Sequence, residues 1–356
     1  MKRMIAEFQK QSFTQIIFPH MKTDWIDYLE EAEKTFINII NEIIKYQKCL
    51  VVCDEIARVK KYFSKNENLF FVEYQTNDTW ARDSSALSVL DANQVKLLDF
   101  KFNAWGAKFA SEKDNLMTKN ISKHYGVKLE SIDFILEGGA VESNGNGIIL
   151  TTSMCMLNQN RNSDLDTKQI TQKLNDFFGS SEILYLNHGY LAGDDTDSHI
   201  DTLARFIEEK TIMYVRCKNE DDEHFSELKL MEDELQKIAS THNFTLIPLP
   251  MPDAIYFEEE RLPATYANFL FVNGAVLVPT YGVKQDKETL NIFRSAFKDR
   301  DVIGIDCLTL IKQHGSLHCV TMNFASGVAL LNQGGCGILF QHSQTTHNQI
   351  GRQTKT

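Results

Sequence analysis

Between residues 193 and 206 the chain reads GDDTDSHIDTLARF, with Asp194, Asp195, Asp197 and Asp201 crowded around His199. Such a cluster can bind a cation, move protons or simply stay hydrated. As a calcium loop it fails. Counted from Asp195, an EF-hand needs an acid, a glycine and a glutamate where this chain has His199, Ile200 and Phe206. As a zinc site it has too few nitrogen and sulfur ligands, since only His199 is local and His188 lies outside the usual histidine spacing. No metal is expected. As a strand entry the stretch is more informative. His199 and Asp201 are two apart, so an extended chain sets both on one face, an acid–base group beside an anion. A hydrogen-bonded turn with a structural histidine is the competing reading of the stretch alone.

Three further clusters carry comparable chemistry. In TWARD, Trp80 and Asp83 flank an arginine; a flat indole and a carboxylate suit a planar cation. A surface Arg–Asp pair beside a packed tryptophan is the plainer alternative. In EGGAVE, Glu137 sits at a bend where Gly138 and Gly139 allow close backbone approach. In HGSLHCVTMNF, Cys319 follows a Gly-Ser turn and His318 and opens an apolar run, where a thiol can serve as nucleophile. The cysteines at 53, 155, 217 and 307 lack such a polar approach and read as buried small hydrophobes. Together, a cysteine, a histidine, several carboxylates and a tryptophan form a cation-recognising covalent site. Guanidinium fits it, being planar with five donors in a fixed fork.

The elements that must position these groups follow from hydrophobic period. Apolar residues at helical spacing over 28–48 predict an amphipathic helix, followed by strands at CLVVC and LFFVEY. An acidic stretch after residue 216 turns helical. FTLIPLPMP reads as a strand, KETLNIFRSAF as a helix and VIGID as a strand. Five times a polar cluster runs directly into one or two strands. Asp83, Glu137, His199, Asn268 and Cys319 recur at roughly 50 to 70 residues, the length of one supersecondary module. Five modules would bring five clusters to one pseudosymmetry axis. The expected domain is 1–324. From Ala325 to Thr356 there is no Asp or Glu, and this low-complexity tail is expected to be disordered or foreign to the native protein.

Bulk properties narrow the classes. No apolar run is long enough for a transmembrane helix, and the N-terminus lacks a secretory signal pattern. Seven cysteines at irregular spacing, without a C-x-x-C pair, fit a reduced, cytoplasmic setting. A formal charge of −11 disfavours nucleic acid and agrees with a cationic ligand. A homo-oligomer is left open.

In order along the chain, TWARD, EGGAVES, GDDTDSHIDTLARF, LPATYANFLFVNGAVLVPTYG and GSLHCVT resemble the agmatine deiminases of the guanidine-modifying superfamily, close to bacterial peptidylarginine deiminase. FPHMKTDW is similar to that family's opening motif, and the likeness spans nearly residues 1 to 324. The resemblance implies an α/β fold, a five-bladed propeller with an axial site. It implies Cys319 as nucleophile and His199 as general acid and base. Asp83 and Asp201 would clamp the guanidinium, Trp80 would pack beside it, Glu137 would share the site and Asp195 would face the far amine. It implies no cofactor. Two departures stand out: Ser198 where the family often has glycine, and no Gln- and Pro-containing ending after Cys319.

The expected activity is hydrolysis of agmatine to N-carbamoylputrescine and ammonia. Deimination of arginine or of a peptide's C-terminal arginine is the first alternative, and should need a cationic reader for the substrate carboxylate. Amidino transfer to an amine, or a propeller that only binds a polyamine, are the others.

Overall fold

The computed structural model describes residues 2–331. The fold is α/β, and its sheets repeat one pairing rule. Leu87–Asp91 and Gln94–Lys101 form an antiparallel pair, and Leu129–Ile135 adds in parallel to the second strand. The same order recurs for Glu142–Ser143, Ile148–Thr152 and Glu182–Leu186. It recurs again for Ala204–Glu208, Thr211–Arg216 and Thr245–Pro250, and for Leu270–Val272, Ala275–Thr280 and Asp301–Asp306. The fifth unit draws on both halves of the chain. Thr321–Ala325 pairs antiparallel with Gln11–Ile17, which pairs in parallel with Lys48–Cys53, which pairs with Leu69–Glu73.

Helices bridge the parallel pairs, as a parallel crossover requires. Leu29–Ile43 sits where the 28–48 pattern places a helix and buries Ala32, Phe36, Ile39, Ile40 and Ile43 on one face. Thr167–Phe178 starts with a full capping box from Asp166 and Gln169 and stops at Gly179, whose φ of 59° only glycine and a few polar residues accept easily. Phe225–His242 and Gln285–Ala296 match the two later helical expectations. The strands at Lys48–Cys53, Leu69–Glu73, Thr245–Pro250 and Asp301–Asp306 match theirs.

The compositional break at Ala325 is not a break in packing. Ala325 ends a strand, Val328 is fully buried, and Leu330 bridges to Tyr125. The remainder of the expected tail, residues 332–356, lies outside the described residues.

Candidate active site

The five recurring positions, Asp83, Glu137, His199, Asn268 and Cys319, each stand just ahead of the first strand of a different unit. Asp83 lies in the helical turn Ala81–Ser84, and Glu137 precedes the 3-10 turn Gly138–Ala140. His199 and Asp201 belong to the 3-10 turn Ile200–Thr202, Asn268 precedes Leu270–Val272, and Cys319 precedes Thr321–Ala325. His199 and Asp201 are therefore neighbours, but not as alternate residues of a strand. The backbone winds into a 3-10 turn instead, because Thr202 N–H and its hydroxyl both bond back to the His199 carbonyl.

The groups meet around Gly139. A methyl on its Cα would stand 2.7 Å from His199 Nδ1 and 3.0 Å from both Asp201 Oδ2 and Asp83 Oδ1. No other residue fits there. Asp83 is fixed at both oxygens: Oδ1 accepts from Gly139 N at 3.0 Å, and Oδ2 accepts from the Trp105 indole at 3.0 Å. His199 Nδ1 lies 3.7 Å from Asp83 Oδ1. Burial disfavours the imidazolium, yet Asp83, the Cys155 sulfur and Glu137 more than offset it and lift His199 to about 10. Asp83 itself is raised, by burial first, with His199 pulling the other way.

Asn268 holds the cysteine. Its Oδ1 accepts from His318 N at 2.9 Å, from Cys319 N at 3.3 Å and from Cys319 Sγ at 3.3 Å. Burial pushes the Cys319 thiol well up, and the carboxylates of Asp201 and Asp83 push it further. Without a cation beside it, this sulfur keeps its proton.

The thiol opens into a cavity of about 360 Å³. Trp80, Phe102, Trp105 and Phe109 supply aromatic walls; Asp24, Asp78, Asp83, Asp114 and Asp195 supply carboxylates. Lys22 is a cation on the same lining. Trp80 donates its indole N–H to Asp78 at 2.9 Å and lies so close to Gly315 that a methyl there would reach 2.1 Å from the ring. Burial, with Asp24 and Asp114 nearby, raises Asp78 to about 7. Trp105 enters on a strained turn: Ala104, Trp105, Gly106 and Ala107 all have positive φ, from 49° to 95°.

The structure reassigns part of the acid cluster. Asp195 does line the cavity. Asp194 turns inward and accepts from Thr196 and from Ser198 N at 2.7 Å. Asp197 is taken up by Lys108, Asn160 and Arg161. Of the three acids before His199, only Asp195 remains to meet a ligand. Asp201 is fully buried rather than on the cavity lining; its Oδ2 is bonded by His318 and its Oδ1 has no partner. Glu137 is held by Arg161, whose Nη2 also bonds the Thr196 carbonyl.

Sequence reasoning missed Trp105, Arg161, Cys155 and Glu7. Among the described residues, Glu137, Cys155 and His199 bring three ligand atoms within 4.8 Å of one another, a grouping that draws only His199 from the acid-rich stretch. Arg161 already supplies Glu137 with a positive partner. None of the missed residues stands in a cluster; NAWGAK carries the only visible signal, an Asn-x-x-Gly turn next to an aromatic.

Solved structures resemble the chain closely. A Campylobacter jejuni agmatine deiminase, in a cysteine-to-serine form with substrate bound, is 41% identical, with a TM-score of 0.88, over 92% of this chain and 97% of that one. A provisionally assigned arginine deiminase of Porphyromonas gingivalis is 44% identical, with a TM-score of 0.89, over 92% of this chain and 100% of that one. A provisionally assigned agmatine deiminase of Vibrio parahaemolyticus is 29% identical over 343 residues, 89% of this chain and 94% of that protein. The family model for Porphyromonas-type peptidyl-arginine deiminase matches residues 3–324, and the chain belongs to that family.

Proposed function

We propose that this protein is an agmatine deiminase, hydrolysing agmatine to N-carbamoylputrescine and ammonia. The observation that carries the reading is a cysteine, a histidine and carboxylates converging from separate strand entries on one aromatic, acid-lined cavity. The substrate-bound Campylobacter relative supports it. So does the repeated pairing order of five sheets, which suits a five-bladed propeller over residues 1–324 with its site on the axis.

Asp83 and Asp201 orient the guanidinium, and Trp80 packs against it. The bound cation offsets the two carboxylates that keep Cys319 protonated, so the thiol releases its proton to solvent as substrate arrives. The thiolate attacks the guanidinium carbon and forms a C–S bond. The C–N bond to the leaving nitrogen breaks, and His199 delivers a proton to the departing ammonia. An amidino thioether remains on Cys319. His199 then takes a proton from water, the hydroxide adds to the same carbon, and the C–S bond breaks to release the ureido product. Glu137 stands beside His199 through both halves. Every step draws on these side chains and one water. Six free cysteines among the described residues support a reducing, cytoplasmic setting.

On the cavity lining Asp195, Asp24 and Asp78 favour an amine over a carboxylate. Lys22 on the same lining favours the second reading, an arginine-type substrate. Ammonia and ureido product measured with agmatine, arginine and a C-terminal-arginine peptide decide between them. Agmatine should turn over fastest, and Cys319→Ala should abolish turnover of all three. Faster turnover of arginine replaces agmatine as substrate; full activity in Cys319→Ala removes the covalent mechanism.

A further inference from the structure

Behind the cavity a second histidine bridges two carboxylates. His318 Nδ1 lies 2.7 Å from Asp201 Oδ2, and its Nε2 lies 2.8 and 2.9 Å from the two oxygens of Glu7. Neutral imidazole has one donor and one acceptor nitrogen, so either tautomer would turn a lone pair toward a carboxylate. With Glu7 and Asp201 both held below the ordinary carboxylate range and ionised, only the form that donates from both nitrogens satisfies this geometry.

The charges continue in alternation. Glu7 also pairs with Arg82, and with Arg205 at 2.7 Å; Arg205 Nε bonds Glu142 at 2.9 Å. Three carboxylates, Asp201, Glu7 and Glu142, are thereby matched by Arg82, Arg205 and a cationic His318. Asp201 and His318 are each 1% exposed, and the Glu7 side chain 15%. Asp201 Oδ1 is the end of the row: buried and without a partner.

We infer that Glu7 and His318 are positioning residues that act through Asp201. They lock one carboxylate oxygen so that the free one is presented to the guanidinium. The inference rests on the deiminase reading above. Glu7 comes from the segment ahead of Gln11–Ile17 and His318 from the residue before Cys319, 311 positions apart. An anion near the N-terminus thus sets the geometry of a substrate ligand in the third unit.

The row also sets the charge of Asp201. Burial pushes its carboxyl up, but the His318 hydrogen bond and charge, with His199 and Arg205, hold it below the ordinary value. Asp83 and Cys319 face it from the other strand entries. Loss of the His318 charge leaves burial less opposed.

The test uses the full-length protein and three substitutions, Glu7→Gln, His318→Asn and His318→Leu. Asparagine can still donate to Asp201 from near the Nδ1 position but carries no charge and does not reach Glu7. KM for agmatine should rise roughly tenfold in Glu7→Gln and His318→Asn and further in His318→Leu, with a smaller loss in kcat. The acid limb of kcat/KM should move to higher pH in all three. If His318→Leu does not fold, the two polar substitutions carry the comparison. Variants with lowered melting temperature but wild-type KM and an unmoved acid limb overturn the inference, since packing alone predicts that result. Wild-type protein that releases no ammonia from any guanidine overturns the functional reading instead.

Discussion

Arg161 holds Glu137 with one nitrogen: its Nε stands 3.1 and 3.0 Å from the two carboxylate oxygens, and both side chains are closed to solvent. The other end of the same guanidinium bonds Asp197 at 2.7 Å and the Thr196 carbonyl at 3.0 Å. One side chain therefore ties Glu137 to the loop that delivers His199. Arg161→Met should strand a buried carboxylate and lower stability by about 3 to 5 kcal/mol. Adding Glu137→Gln to that variant should restore much of the stability but no turnover. Urea denaturation and ammonia release check both parts; an Arg161→Met midpoint equal to wild type contradicts the assignment.

Ser198 occupies a conformation that suits glycine. Its φ is 64°, and Asp197 before it is at 66°. The turn is kept by Ser198 N on Asp194 and by Thr152 Oγ1 on the Ser198 carbonyl at 2.7 Å. Ser198→Gly relieves the left-handed strain, lost hydroxyl contact with Met154 notwithstanding. A gain of a few tenths to about 1 kcal/mol is expected, with kcat and KM unchanged. Chemical denaturation in parallel with steady-state kinetics measures it, and a destabilised variant refutes the strain argument.

Asp78 gives the protein a pH-dependent weakness. Burial and the acids Asp24 and Asp114 raise it to about 7, from an ordinary 3.8. A raised carboxyl contributes stability that is fully present below the unfolded value and lost as pH climbs through about 7. Asp114, raised to about 7 mainly by burial, acts in the same direction. Asp78→Asn keeps an oxygen for the Trp80 indole and removes the charge, at the cost of the acceptor for Thr79 N–H. It should melt at higher temperature than wild type at pH 8, by about 1 kcal/mol of stability, with the advantage gone near pH 4. Thermal denaturation across that range is the measurement, and an advantage that grows toward pH 4 has the wrong sign.

Much of the site was legible because its residues sit where composition changes abruptly. Asp83, Glu137, His199, Asn268 and Cys319 each precede a strand that is apolar for reasons of burial, so a polar run ahead of it is conspicuous. Gly138 and Gly139 were legible for the same reason, and Gly139 proves to be the point around which three side chains close. The local conformation at His199 was not legible. Alternation predicts an extended entry, whereas hydroxyl and amide bonds from Thr202 back to His199 wind it into a 3-10 turn. Arg161 and Glu7 were invisible because their partners are remote in sequence. Their roles depend on which buried carboxylates need a cation, and that follows only from three-dimensional packing. The different fates of the GDDTD acids were not legible: a row of aspartates looks uniform in sequence, yet Asp194 caps backbone, Asp197 pairs with arginine and lysine, and of the three only Asp195 reaches the cavity.

The sheet that carries Cys319 joins an early strand to a late one: Thr321–Ala325 lies against Gln11–Ile17. During synthesis Gln11–Ile17 leaves the ribosome before Lys48–Cys53 and can pair with it early, yet its other edge stays open until Thr321–Ala325 emerges. Glu7 waits beside it for His318. Cys319 thus joins His199 only once that late strand is in place. A chain that stops short of Thr321–Ala325 leaves one edge of Gln11–Ile17 open and Cys319 without the strand that seats it.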